Sequence, residues 1–346
     1  MKEYPKDLKN SHSLLAKYLT VELFNELKDK VTTDGFRLEN IINSGVHNLD
    51  SGIGAYAGDE ESYEVFAPLF DKIIQDYHGF NKEDKHKSNL NPDDLNAPNP
   101  DKDGDYIVST RIRVGRNIAD IPLGTAISKM QRDKIEKDVS EILNSFKDDL
   151  SGRYYPLNNM TQEDSDSLIS DHFLFKTGDR FLESAGLNRD WPHGRGIFHN
   201  DQKTFLVWIN EEDELRIISM QQGGDIKEVF TRLTTAIAEI EKKIKFAYNE
   251  HLGYITSCPT NLGTAMRASV HIKLPNLSQK EDEFKSIAER YSVQIRGTDG
   301  EHSDSKGGIY DISNKRRLGV SEVECVQDMY DGVVALIKRE KELRRF

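Results

Sequence analysis

A change of hydrophobic period near residue 105 constrains this chain more than any other feature. Before it, apolar residues recur at helical spacing: Leu14, Leu15, Tyr18 and Leu19 share a face. Thr20 is placed to cap a segment carrying Leu23, Phe24, Leu27 and Val31, and Tyr63, Phe66, Leu69, Phe70, Ile73, Ile74 and Tyr77 mark a further helix. After it come short β-branched runs over 106–110, 204–209 and 215–220, with long amphipathic helices predicted over 226–247 and 320–343. Residues 82–104 are polar and carry Pro92, Pro98 and Pro100, so they read as a linker. The pattern predicts an α+β chain: a small all-helical unit over 1–97 and a larger unit over 98–346. Few strands are joined by regular strand-helix-strand crossovers, which favours an antiparallel sheet flanked by helices over a doubly wound one.

A formal charge of −12 argues against nucleic acid or an anionic membrane as partner. With only Cys258 and Cys325, no disulfide framework is expected. No apolar run approaches a membrane span and the N-terminus carries no apolar signal, so a cytoplasmic setting is expected. The acidic run Asp101-Lys102-Asp103-Gly104-Asp105 lacks the glycine position and final glutamate of a calcium loop and reads as acidic linker.

The densest chemistry lies in Cys258-Pro259-Thr260-Asn261-Leu262-Gly263-Thr264-Ala265-Met266-Arg267, followed by a strand over 268–274 in which Val270 and Ile272 alternate with Ser269, His271 and Lys273. A cysteine opening a turn of small polar residues is placed where charged partners can lower its pKa. This stretch resembles the signature of the phosphagen (guanidino) kinases. Three further segments resemble the same family in the same order: Ser109-Thr110-Arg111-Ile112-Arg113-Val114-Gly115-Arg116, Trp208-Ile209-Asn210-Glu211-Glu212-Asp213-Glu214-Leu215-Arg216-Ile217-Ile218-Ser219-Met220, and Arg296-Gly297-Thr298-Asp299-Gly300-Glu301-His302, the last leading to Gly307-Gly308-Ile309-Tyr310-Asp311-Ile312-Ser313-Asn314-Lys315-Arg316-Arg317.

The resemblance implies reversible phosphoryl transfer between ATP and a guanidine. It brings Glu212 and Glu301 to the substrate guanidinium, and Cys258 as a thiolate beside them. A guanidinium is protonated at any physiological pH, so a nucleophilic nitrogen needs partners that orient it and favour proton loss. Arg111, Arg113, Arg216, Arg267 and Arg296 are implied as a clamp on the nucleotide phosphates, with His172 near adenine and His271 nearer the ribose or phosphates. No Walker-type loop is present. Mg²⁺ is expected to arrive with ATP, without a dedicated set of protein ligands.

Asn48-Leu49-Asp50-Ser51-Gly52-Ile53-Gly54-Ala55-Tyr56 resembles the specificity loop of the family's arginine-specific branch. Amides of Ser51, Gly52, Ile53 and Gly54, with the Tyr56 hydroxyl, would hold the carboxylate of free L-arginine, giving phosphoarginine and ADP. Asp50 is matched with Arg180 as a pair that forms when the two units close. Segments 296–308 and 165–170 are expected to be mobile. A monomer acting in energy buffering is expected. The alternatives are a kinase of taurocyamine, lombricine or creatine, a protein-arginine kinase, and an inactive nucleotide-binding protein. Glu214, where a histidine is common, is the clearest departure from the family pattern.

Overall fold

Strand-forming runs in the second part of the chain pair with neighbours far apart in sequence. The computed structural model describes residues 1–297 and 307–344. Among these, β1 (Ile107–Arg116), β2 (Gly152–Pro156), β3 (Gly196–Asn200), β4 (Phe205–Ile209), β5 (Leu215–Gln222), β8 (Met266–Lys273), β9 (Val293–Gly297) and β10 (Ile309–Asn314) form one sheet, and β6 (Tyr248–Asn249) pairs with β7 (Gly253–Tyr254) in a short ribbon. The sheet order is β2-β3-β4-β5-β1-β8-β10-β9. Every neighbouring pair is antiparallel, as the sparse crossovers predict.

Because side chains alternate across a strand, register decides what each face carries. Ile112 of β1 lies opposite Ala268 of β8 and Ser219 of β5. Ile112, Val114, Ile217, Val270 and Ile312 all point to one face, where the helices Ile226–Glu241 and Glu322–Leu343 cover them in a continuous apolar core. The expected helix over 226–247 stops at Glu241. Beyond it Phe246 bridges to Ile118 and Ala247 N donates to Asn117 O at 2.8 Å, so the chain is drawn into pairing with the segment after β1. On the opposite face, toward β3–β5, Ile197, Leu206 and Ile218 pack with Leu168, Phe173 and Phe175.

The first eighty residues are helical: Leu14–Tyr18, Val21–Leu27, Leu38–His47, Ser62–Val65 and Ala67–His78. The Thr20 hydroxyl accepts from Leu23 N at 3.1 Å, which satisfies one orphan donor of the second helix. Leu15, Phe24, Ile41, Ile42, Phe66, Phe70 and Ile73 form their core, completed by Leu123, Leu252, Ile255, Leu262 and Leu318 from far along the chain. Val31 and Tyr77, which share the helical spacing, are 42% and 50% exposed and stay outside it.

Residues 82–104 are fastened rather than loose. Asp101 accepts from the amides of Asp105, Tyr106 and Ile107 at 3.1, 2.8 and 2.7 Å, and Glu322 accepts from Asn89 N at 2.8 Å. Among the described residues no helix is long and apolar enough to cross a membrane.

Candidate active site

The rest of the second sheet face gathers the arginines. Arg113 pairs with Arg267 across β1 and β8, and Arg216 lies opposite Gly115 of β1 and Trp208 of β4. His271 and Arg296 both lie opposite Asp311 of β10. With Arg111 two residues before Arg113, every arginine of the expected clamp therefore projects from one face, across β5, β1, β8 and β9. Arg267 reaches Asp311 Oδ1 at 2.5 Å and His271 Nε2 meets Asp311 Oδ2 at 3.2 Å.

Packing like charges together has electrostatic consequences. Burial, then Arg216 and Arg267, push the Arg111 guanidinium down to about 10. Arg113 lies well below the usual arginine range, because of Arg216 first and burial second. Burial also lowers Arg267, against the opposing effect of Asp311. Burial presses Arg216 down as well, but Glu211, Glu212 and Asp213 outweigh it, and its pKa is raised. Such a cluster favours an anion with several negative oxygens.

Beside this face the β4–β5 connection presents its acids. Asn210 adopts a left-handed conformation (φ 57°), and its amide donates to Glu214 O at 2.9 Å, closing the turn. Glu211 and Glu212 meet Arg216 at 3.3 and 3.2 Å. Burial raises the Glu212 carboxyl, opposed by Arg216 and Arg113. Asp213 is pushed up to about 7 by burial and then by Glu212, while Asn117 Nδ2 donates to it at 2.9 Å. Glu214 is fully buried and accepts from Ile118 N at 2.7 Å, and burial raises its carboxyl well above the ordinary carboxylate range.

Cys258 follows Ser257 into the one-turn helix Pro259–Asn261. The expectation of a lowered pKa is not met: the thiol is buried, and burial followed by Glu212 pushes it up to about 12. Its Sγ lies 3.0 Å from Thr260 Oγ1. A carboxylate is its dominant charged neighbour, and it disfavours the thiolate. Asn261 Nδ2 lies 3.4 Å from Glu212 Oε1 and Arg317 donates to Asn261 Oδ1, which ties the cysteine turn to the acidic turn.

The glycine loop approaches the same pocket. Ala57 N donates to Ser257 O at 2.8 Å, and burial, Cys258 and Glu212 together raise the Tyr56 hydroxyl. The amides of Gly52, Ile53 and Gly54 have no hydrogen-bond partner among the described residues, whereas Ser51 N already bonds Asn48 O at 3.0 Å. Three of the four expected amide donors are thus available, and Ser51 instead shapes the turn. Gly54 (φ +80°) faces Gly45, where an added Cβ would meet Gly54 O at 2.5 Å, so helix and loop touch only because both residues are glycine.

Arg180 donates to Asp50 Oδ1 at 2.7 Å and makes a second bond to Asp50 Oδ2, the pairing anticipated from sequence. Around it Ser44 Oγ donates to Phe181 O at 2.7 Å and Asn43 Nδ2 to Ser184 O at 2.6 Å. His172 is exposed in a left-handed turn (φ 59°) after the helix Gln162–Ser170, not on a strand, and among the described residues no hydrogen bond joins its ring to the arginine face. Residues 165–170, expected to be mobile, form the second half of that helix. Glu301 lies outside the described residues. Arg116, which could pass for a surface residue, is fully buried on the other face with its guanidinium 3.5 Å from the centre of the Tyr254 ring.

Asp311, Glu211, Asn261 and Arg317 were given no role from sequence. Each stands inside a motif already singled out, but a partnership between residues more than forty positions apart, such as Arg267 with Asp311, needs the strand register.

The model of the ATP:guanido phosphotransferase C-terminal catalytic domain matches residues 134–343, and that of the N-terminal domain matches residues 9–75. An arginine kinase of Anthopleura japonica is 56% identical over 98% of this chain, which spans 48% of that longer protein. Arginine kinase Lit v 2 of Penaeus vannamei is 54% identical, covering 96% of this chain and 93% of its own length. Among solved structures, a lombricine kinase superposes with a TM-score of 0.94 at 39% identity, over 100% of this chain and 97% of that one. The substrate-free duplicated taurocyamine kinase of Schistosoma mansoni superposes at 0.92 with 42% identity, over 99% of this chain and 49% of that one.

Proposed function

Because the chain belongs to the ATP:guanido phosphotransferase family, we propose that it is an arginine kinase, transferring the γ-phosphoryl group of MgATP reversibly to the guanidinium of free L-arginine. The observation that carries this reading is the junction at Arg216. That one guanidinium belongs to the phosphate-seeking arginine face and also contacts Glu211 and Glu212, which are suited to a cationic acceptor.

In this reading MgATP lays its phosphates on Arg111, Arg113, Arg216, Arg267 and Arg296, with Mg²⁺ entering as part of the substrate, and His271 and His172 flank the nucleoside. Glu212 and Glu301 orient the acceptor guanidinium. The P–N bond forms as the P–O bond to ADP breaks, and the proton leaving nitrogen passes to a carboxylate. Transfer of this kind demands positioning and charge stabilisation more than covalent catalysis, so Cys258 serves as an electrostatic partner that ionises when the guanidinium arrives. The guanidinium also relieves the burial and like-charge penalties that hold Cys258 and Glu212 high. Amides of Gly52 to Gly54 and the Tyr56 hydroxyl receive the α-carboxylate, and the Asp50–Arg180 pair holds 1–97 against 98–346 during turnover, excluding water. A monomeric energy buffer is the physiological role in this reading, and the scarcity of cysteine supports a reducing, cytoplasmic setting.

The test is ADP release with MgATP against L-arginine, creatine, taurocyamine, lombricine and an arginine-containing peptide. Turnover with free arginine alone, abolished in Glu301→Ala, is the expected result. Turnover with a different guanidine would keep the chemistry and overturn the role of the glycine loop; none with any would leave a nucleotide-binding protein.

A further inference from the structure

The backbone of the cysteine turn is held mainly from a distance. Thr256 O accepts from the Tyr63 hydroxyl at 2.7 Å, Ser257 O from Ala57 N at 2.8 Å, and Pro259 O from His78 Nε2 at 2.8 Å. Cys258 O is served locally, by Thr256 Oγ1 at 2.7 Å and Asn261 N at 3.1 Å. Tyr63 lies in the helix Ser62–Val65 and His78 closes the helix Ala67–His78, while Ala57 directly follows Tyr56 of the glycine loop. Pro259 lacks an N–H and its carbonyl's other contact, from Leu262 N, is long at 3.4 Å, so the His78 bond is the short one fixing the start of the turn.

We infer that Tyr63 and His78 are positioning residues for Cys258, binding the cysteine turn to the N-terminal helices and the glycine loop in addition to its ties to the acidic turn through Asn261 and Arg317. Their bonds hold the sulfur beside the glycine loop, on the side where the guanidine is received. Tyr63 is 5% exposed and its hydroxyl spans the turn, with Ser257 O a further 3.5 Å contact. His78 must carry its proton on Nε2 to donate to a carbonyl, and burial keeps the ring neutral by lowering it to about 4, so the donor is constant across the working pH range. The kinetic part of this inference rests on the arginine kinase reading; the structural part does not.

The experiment uses the full chain and compares wild type with Tyr63→Phe, His78→Leu and His78→Gln, the last keeping an N–H donor at a similar reach. Each is alkylated with iodoacetamide without substrate, and labelling of Cys258 and Cys325 is followed separately by mass spectrometry. Cys325 is fully buried and reports global opening. Tyr63→Phe and His78→Leu are expected to speed Cys258 labelling roughly fivefold each, as loss of one such bond would. Cys325 stays unlabelled, and His78→Gln returns within about twofold of wild type. With arginine and MgATP, kcat falls in the two disruptive variants while KM for ATP holds. Wild-type labelling in both disruptive variants would overturn the inference, as would parallel labelling of Cys325, which would make the two residues general supports of the fold. Absence of turnover with arginine in the wild type would remove the functional reading but leave the labelling result to decide this one.

Discussion

The two halves of the site are built from opposite charges and are frustrated in opposite directions. On the sheet face, burial and mutual repulsion push Arg111 and Arg113 down. In the adjoining pocket, burial and mutual repulsion push Glu212, Asp213 and Cys258 up. Each half lacks the counter-charge that its own substrate brings: polyphosphate for one, guanidinium for the other. Only Arg216 belongs to both, and among these arginines it is the one whose pKa is raised. The contrast teaches that the fold, stabilised by apolar packing on the far face and under the N-terminal helices, supports electrostatic tension that ligand binding relieves. This is preorganisation, with donors and acceptors fixed before charge develops.

The sharpest way to break this comparison is to remove the shared residue. Arg216→Ala deletes a phosphate contact and leaves Glu211 and Glu212 without their ion-pair partner. The expected loss in kcat is roughly 10³-fold or more, the range for a charge-stabilising arginine in phosphoryl transfer. Arg267→Ala, whose partner Asp311 can still bond His271, should lose less; equal losses in steady-state assays would show that Arg216 has no double role. Next in size is Glu212→Gln. It keeps the shape and an acceptor but removes the negative charge, and kcat is expected to fall about 10²-fold, at the low end for a general base. If KM for arginine rose while kcat held, Glu212 would only bind and the proton would go elsewhere.

Asp213 sharpens the acidic side through pH. Its carboxyl lies at about 7 in the fold against an ordinary 3.8, from burial first and Glu212 second. A raised pKa means the native state holds this proton after the unfolded chain has lost it. The contribution to stability is complete below about pH 4 and is lost as pH rises through about 7. Asp213→Asn keeps an oxygen for Asn117 and removes the titration, so its stability relative to wild type should improve with rising pH over this window, by at most about 1.4 kcal/mol per pH unit. Urea midpoints at pH 5, 6, 7 and 8 give the slope. A constant difference between the two proteins would mean that Asp213 is ionised throughout, and that the acidic pocket is less strained than the arginine face.

How much of this was legible in the sequence follows from what each feature needs. The change of period near residue 105 sufficed for helices then antiparallel strands, because alternation and helical spacing are local properties. The placing of Arg111, Arg113, Arg216, Arg267 and Arg296 on one face follows from strand parity once the register is known. The thiol at Cys258 was misjudged for a physical reason: a turn sequence shows polarity but not depth, and depth fixes the sign of the shift. The turn at His172, whose neighbour Phe173 O accepts from Trp208 Nε1, and the end of Ile226–Glu241, beyond which Phe246 bridges to Ile118, were equally out of reach, since the partners Trp208 and Ile118 come from other parts of the chain.

The smallest expected effect lies at the joint between the two regions. Asp50 and Arg180 are exposed, and hydrogen bonding to Arg180 is the first cause holding Asp50 below its ordinary range. Exposed pairs are weak because water screens them and two side chains must be held still. Asn48 Oδ1 also accepts from Arg180 at 3.1 Å, and the bonds from Ser44 and Asn43 to Phe181 O and Ser184 O do not involve Asp50 at all. Asp50→Asn should therefore leave kcat nearly unchanged and raise KM for arginine by about threefold at low salt, with the difference fading as ionic strength shortens the screening length to below about 8 Å. The salt series separates two origins of such a rise. A KM increase that persists at high salt would mean that Asp50 shapes the glycine loop, placing the residue within the guanidine half. A decline with salt keeps it as an electrostatic latch that belongs to neither half and acts only by holding them together.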